Sequence, residues 1–294
     1  MSSMCVKSGK IDKFAAQMKL GLFSKEFADV KFVVGDQKKI IYGHRIIIGL
    51  RCALLQKLFQ ESAARPEVPI VLSDVNPETF QQMLDFMYTN TVQISQNSAM
   101  DLLGTAIEYG LQDLQAVVCE HITENLDTEF AATALHAAVY FEVSHLEQHC
   151  LSFIADNANE FLESKSYLEM GEQAFIKAMD CDDLNVDETE INKAIFEWGK
   201  NGAVKSGTPL KLIVSRVVLK LRIAIFDVEN LERIEKFSEA EGDYIPPEMF
   251  QFAWKFHAQI KNGRSVPVEG KKWATLRKGT KPLEHHQYLN PYID

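Results

Sequence analysis

The chain reads as an α+β domain, a small mixed sheet flanked by a helical cluster, followed by an all-α domain. Three observations predict this. Apolar residues alternate at period two in FADVKFVVG (Phe27 to Gly35) and IIYGHRIII (Ile40 to Ile48), the signature of a half-buried hairpin. A third strand at Val68 to Leu72 feeds a capped helix, and helical patterns follow to about residue 126. From Asp127 onward strand signals disappear and 3.6-residue periodicity takes over, which places a domain boundary at about residue 126.

Taken in order, residues 11 to 23 put Ile11, Phe14, Ala15, Met18 and Leu22 on one helical face, an amphipathic helix that needs a surface to cover it. Val30, Phe32 and Val34 then alternate with Lys31 and Val33, and GDQKK (Gly35 to Lys39) turns the chain into the second strand. An apolar helix, RCALLQKLF (Arg51 to Phe59), precedes the third strand. Asn76 is placed to cap the next helix, with Pro77 in its first turn and Phe80, Met83, Leu84 and Met87 at i, i+3, i+4 and i+7. Helices continue through Ala99 to Tyr109 and Leu111 to Glu124.

In the second half, Asp187 and Glu190 have capping-box spacing before the stripe Ile191, Ala194, Ile195 and Trp198. Leu210 to Phe226 reads as the longest helix, with Leu210, Ile213, Val214, Val217, Val218, Leu221 and Ile225 on one face. A last helix starts near Pro247, with Phe250, Ala253, Trp254 and His257 in register. The expected organisation is an arm at 1–24, an α+β domain at 25–126, an all-α domain at 127–235, a helical extension at 236–260 and a basic tail at 261–294.

Composition bounds the function. At 294 residues and 46% hydrophobic content the chain has ample material for packed cores. No apolar run approaches the roughly 18 residues of a membrane helix, and MSSMCVKSGK lacks the apolar block of a signal peptide. Together these predict an intracellular protein of cytoplasm or nucleus. The five cysteines are widely spaced and mostly embedded in apolar helical pattern, which predicts reduced core thiols. Net charge is −10, yet Lys261 to Lys281 holds seven basic residues against Glu269 alone, so an acidic body carries a basic tail. An acidic body argues against a nucleic-acid-binding core.

The stretches FADVKFVVG, IIYGHRIII, RCALLQKLF, VLSDVNPETFQQMLDFMYTN (Val71 to Asn90) and IEYGLQDLQ (Ile107 to Gln115) together resemble the BTB (POZ) family. The all-α block resembles the BACK domain that follows many BTB domains, above all in the acidic stretch before Trp198. The chain is thus similar to BTB-BACK proteins, but no 45-to-50-residue kelch repeat remains after it. The resemblance implies a protein-binding homodimer. It places Asp29 and Arg45 in a charged pocket at the dimer centre, with His44 in the same turn, and packs the leading helix (Phe14, Met18, Leu22) on the partner. Alternatively, Asp29 and Arg45 tie strand to helix within one subunit. A carboxylate and a guanidinium in an apolar interface are expected to pair, because either alone is costly to bury.

The resemblance further implies an adaptor that bridges a cullin-3 ubiquitin ligase to an unknown protein substrate, with catalysis left to the partner ligase. The segment expected to face the cullin holds Phe59, Glu61, Ala63 and Arg65. Family members carry a bulky apolar residue two positions before a glutamate there, and Ala63 with Arg65 stands in place of that pair. The competing expectation is a cullin-independent dimeric scaffold that binds a peptide or helix through its BACK domain.

Other constellations point to no chemistry. His44 reads as a hydrogen-bonded structural residue, with no nucleophile spacing beside it and no Gly-rich phosphate loop, so no catalytic residue is expected. An EF-hand starting at Asp183 fails at position 6 (Glu188) and at position 12 (Ala194), leaving helix capping to explain the acids. The adjacent His285 and His286 lack further zinc ligands, so neither metal nor cofactor is expected. Lys271, Lys272, Arg277 and Lys278 form a candidate basic contact for nucleic acid or membrane. A solvated tail, or one docked on the acidic body, is favoured over either.

Overall fold

The computed structural model describes residues 11–63, 67–261 and 272–288, and the chain divides into two compact units, Met1–Asn125 and Leu126–Asp294.

Unit 1 opens with helix α1 (Ile11–Phe23), followed by strands β1 (Val30–Val34) and β2 (Lys39–Gly43). With β3 (Ile70–Leu72) they form a sheet of order β2-β1-β3. β1 is antiparallel to β2 (Phe32 opposite Ile41) and parallel to β3 (Phe32 opposite Ile70). Val30, Phe32 and Val34 are buried as the alternation requires. The hairpin turn rests on Gly35 at φ +68°, where a Cβ would stand 2.9 Å from the Pro77 ring. That close approach and the left-handed backbone both demand glycine.

After β2 the chain forms α2 (Arg45–Arg51) and α3 (Ala53–Glu61). The single helix expected from Arg51 to Phe59 is broken at Cys52, which is extended (φ −135°, ψ 107°) and buried, its thiol donating to the Tyr109 carbonyl at 3.4 Å. Burial pushes that thiol's pKa up, so it stays protonated. α4 (Pro77–Thr89) starts where the sequence places it, with the Asn76 side chain accepting from Glu78 N at 2.8 Å, and Asn90 closes it in the left-handed conformation. α5 (Gln96–Glu108) carries a Ser95/Ser98 capping box, and α6 (Gln112–Glu124) completes the cluster. The core centres on Phe32, whose ring lies 5.1 Å from Phe80 and 6.2 Å from Phe59.

Unit 2 is helical: α7 (Phe130–Tyr140), α8 (Ser144–Asp156), α9 (Ala158–Ser164), α10 (Glu172–Asp180), α11 (Glu188–Ser206), α12 (Leu210–Ile213), α13 (Val228–Ala240) and α14 (Pro247–Lys261). Asp187 caps α11 by accepting from Thr189 N at 3.0 Å, and Ile191, Ala194, Ile195 and Trp198 are buried as expected. Trp198 stacks on Phe175 at 4.8 Å and donates its indole N–H to the Met170 carbonyl at 2.9 Å.

The long helix expected over Leu210 to Phe226 is not formed. α12 ends at Ile213, and the chain continues through 3₁₀ turns at Val218–Lys220 and Ile223–Ile225. The reason lies in burial. Val214, Val217 and Val218 are buried, and so is every residue from Leu221 to Phe226, including Arg222. A one-sided helix cannot bury six consecutive side chains, and β-branched residues weaken its helical preference further.

Candidate protein-docking surface

In unit 1 the junction between β2 and α2 is pinned by His44. Its backbone N–H donates to the Tyr88 hydroxyl at 2.9 Å. Its ring meets that same hydroxyl at Nδ1 (2.8 Å) and the Glu26 carbonyl at Nε2 (3.3 Å). The set is self-consistent if the hydroxyl donates to Nδ1 and Nε2–H donates to the carbonyl. Burial raises the Tyr88 phenol to about 12, so it remains a donor across the physiological range. His44 is therefore a structural tie.

Asp29 and Arg45 are brought together, but their carboxylate and guanidinium do not pair with each other. Asp29 Oδ1 accepts from the Arg45 backbone N–H at 2.6 Å, a favourable place for an anion at the start of α2. The Arg45 guanidinium donates from Nε to the Asp29 carbonyl (3.0 Å) and from Nη1 to the Phe59 carbonyl (3.3 Å). It also lies 5.2 Å from the Phe59 ring centre. Within the single chain the two residues thus tie strand to helix: Asp29 is exposed, so its carboxylate needs no counter-charge there and takes the helix N–H. Arg45 Nη2, by contrast, is buried without a hydrogen-bond partner.

Beside Arg45 lies a shallow depression of about 450 Å³, with Ile46, Gly49 and Leu50 on one wall and Gln56, Gln60 and Ala63 on the other. Ile46 and Leu50, one helical turn apart on α2, are 71% and 79% exposed. Of the expected dimer-helix residues, Phe14 is 61% exposed and Met18 half-buried. Leu22 is buried within unit 1, where α1 packs on α4. Ile46 and Leu50 were missed from sequence because IIYGHRIIIGL is apolar throughout, and periodicity alone does not say which members face outward.

The segment expected to face a cullin is divided. Phe59 is buried against Phe32, Glu61 and Ala63 are exposed, and Arg65 lies outside the described residues. Of the basic residues, Lys271 is also outside the described residues, as is the Lys272 side chain. Lys278 is largely exposed, 3.3 Å from Asp156. Arg277 is the correction. Its side chain is wholly buried and donates to Glu188 at 3.0 Å, so it is not available as an external basic contact. Its partner Glu188, the first residue of α11, is itself 2% exposed, and a buried carboxylate requires a buried cation. Neither Glu188 nor Arg222, which donates to Asp182, carried a sequence signal beyond the acidic run and the basic tail at large.

His285 and His286 both direct Nε2 at the Ile225 carbonyl, at 3.0 and 2.8 Å, and the His257 ring lies tilted against His285 with centres 4.8 Å apart. Among the described residues no three His, Cys, Asp or Glu side chains are placed to hold a metal ion. Burial and the neighbouring histidines lower His285 to about 4, and burial lowers His257 as well, against the opposing field of Asp227. A depressed folded-state pKa means the neutral ring is favoured by the fold. Its stabilisation is complete above an unfolded value near 6.5 and lost as pH falls towards 4. Thermal midpoints measured at pH 7, 5.5 and 4.5 are expected to fall along this limb, and His285→Gln to flatten it. An unchanged limb in that variant refutes the assignment.

A small sheet wrapped by helices, with an exposed aliphatic stripe beside a charged turn, and an all-helical unit after it define a protein–protein interaction protein. Residues 20–126 match the family model described as BTB/POZ domain, and residues 131–225 match that described as BTB And C-terminal Kelch. The chain is 32% identical to human BTB/POZ domain-containing protein 19 over 289 residues, 97% of each chain, and 32% identical to the cattle protein of that name over 290. It is 26% identical to fruit-fly BTB/POZ domain-containing protein 9 over 226 residues, 76% of this chain and 30% of that one. The chain belongs to the BTB-BACK family, whose members act as protein–protein interaction adaptors, typically without catalysis of their own. BTB domains generally self-associate and bind other proteins. Among the described residues no helix is long and apolar enough to cross a membrane.

Proposed function

We propose that the chain works as a homodimeric adaptor, joined through the α1–α2 face of unit 1. The observation that carries this reading is the stripe of Ile46 and Leu50 on α2, more than two-thirds exposed and next to an apolar depression, with Phe14 exposed on α1. Covering an aliphatic side chain of this size contributes about 1.5–3 kcal/mol, and a two-fold axis doubles every such contact. The exposed Asp29 carboxylate then faces the axis, where an Arg45 guanidinium meets it by leaving the Phe59 carbonyl and its buried position, which gives the charged pocket its role.

A bridge from cullin-3 to an unknown substrate is the second reading, supported by the family and by the exposed Glu61 at the end of α3. Phe59 cannot serve as the apolar anchor because it belongs to the core, and Ala63 offers only a methyl group. Size-exclusion chromatography with light scattering, on the protein alone and with the cullin-3 N-terminal domain at micromolar concentration, separates the outcomes. A particle of twice 33.3 kDa is expected for the protein alone, and a monomer sinks the dimer. Co-elution with the cullin makes ubiquitin-ligase adaptor the function. A dimer that ignores the cullin leaves a scaffold.

A further inference from the structure

Residues 272–288 contain two short 3₁₀ turns and are held on unit 2 in the manner of an extended peptide in its receptor. Trp273 donates its indole N–H to the Leu219 carbonyl at 3.0 Å, and Ala274 is buried with Ala224, Ile225 and Phe256. The next two carbonyls, of Thr275 and Leu276, accept from Arg222 Nη1 at 3.4 and 2.9 Å. The Arg277 guanidinium then enters a cage of acceptors: Glu188 Oε2 at 3.0 Å, the Cys181 carbonyl at 2.7 Å and the Lys220 carbonyl at 2.9 Å. The backbone N–H groups of Lys278 and Gly279 donate to the Asp182 and Leu184 carbonyls at 3.1 and 3.3 Å. At Gly279 a Cβ would stand 2.1 Å from Val186 N and 2.4 Å from the Asn185 carbonyl carbon, so only glycine passes.

Every acceptor in this cage comes from the loop 181–188 and the turns around 217–222. The receptor is thus built without the tail, and it reads an arginine, a free peptide backbone and a glycine two positions on. The tail contributes no helix of its own to the core, and Leu276, Lys278 and Leu283 keep much of their surface in water. A segment that lies in one groove and adds no helix to the core can leave it at lower cost than unfolding the fold as a whole.

We propose that this groove is a peptide-binding site for an extended segment of another protein carrying Arg-x-Gly, and that residues 272–288 are its ligand in cis, which such a partner must displace. The inference gives a place to peptide capture by the helical domain and is independent of dimer formation, so either can fail alone. The acidic run from Asp180 to Glu190 thereby acquires a role beyond helix capping: Asp182 and Glu188 hold the two buried arginines.

The test uses a fluorescent peptide of residues 272–288 titrated into the full chain and into its Gly279→Val variant, whose own tail cannot seat. The tethered tail competes at high effective concentration, so the variant is expected to bind the peptide at least about tenfold more tightly than the unaltered chain. A peptide carrying Arg277→Gln is expected to bind about a hundredfold more weakly, because Glu188 is then left buried without its cation. Equal, unsaturable titrations in both chains, or indifference to the arginine, overturn the proposal. Hydrogen exchange on the unaltered chain decides the matter without a substitution. The Lys278 and Gly279 amides are expected to exchange about a hundredfold faster than those in the middle of α11. Exchange at the α11 rate makes the tail an inseparable part of the core and refutes the displaceable ligand.

Discussion

A chain carrying Ile46→Asp and Leu50→Asp is expected to run as a 33.3 kDa monomer at concentrations where the unaltered chain is expected to run as a dimer. Both side chains are already in water in the single chain, at 71% and 79% exposure, so new carboxylates there cost the fold of unit 1 little. In a two-fold interface the same change places four carboxylates where aliphatic groups met. Uncompensated charge in an interface costs several kcal/mol, so dimer affinity is expected to fall by at least about a thousandfold, or about 4 kcal/mol. Light scattering and the far-ultraviolet spectrum together check both halves of the claim. A double variant that stays dimeric rules out this face as the interface, whereas a double variant that loses its fold shows that the two residues belong to the core.

The second large effect is expected at Trp198→Ala in unit 2. The indole joins an aromatic stack, 4.8 Å from Phe175, which in turn lies 5.8 Å from Tyr167, and its N–H satisfies the Met170 carbonyl. Removing it leaves a cavity and an unsatisfied acceptor, and buried tryptophan truncations cost about 3–5 kcal/mol. Denaturant unfolding followed separately in the two units is expected to show unit 2 weakened by that amount. Unit 1 is expected to keep its midpoint, since its core around Phe32 shares no side chain with this stack. Trp198→Phe restores the stacking without the hydrogen bond and is expected to recover most of the loss. A loss below about 1 kcal/mol for the alanine variant contradicts the packing argument.

Much of this architecture was legible in the residues. The Asn76 cap with Pro77 behind it, the alternation of Val30, Phe32 and Val34, and the stripe of α11 each depend on neighbours within a turn or a strand, and each stands where expected. The leading helix was legible as amphipathic with Phe14, Met18 and Leu22 on one face, but what covers that face was not. Leu22 turned inward to its own unit and Phe14 outward. Asp29 and Arg45 were legible as neighbours at the turn, but that the carboxylate takes the Arg45 backbone N–H within the single chain follows from its exposure, a property of the folded surface and not of the turn.

What the sequence determined by itself is therefore what short-range chemistry dictates: strand alternation, helix caps, the change of periodicity near residue 126, and the motif density that marks a BTB-BACK chain. The tertiary structure alone decided the rest. The acidic run reads as helix caps and the basic tail as solvated or docked on the acidic body, but only the fold shows that Arg277 and Glu188, 89 residues apart, leave water together. The same holds for Leu210 to Phe226, whose periodicity spells a helix. There, burial from every side and the need to seat the Arg222 guanidinium against Asp182 replaced helical hydrogen bonds with tight turns. Local signals are set by bonds a few residues apart, whereas desolvation depends on what the remainder of the chain lays over a group.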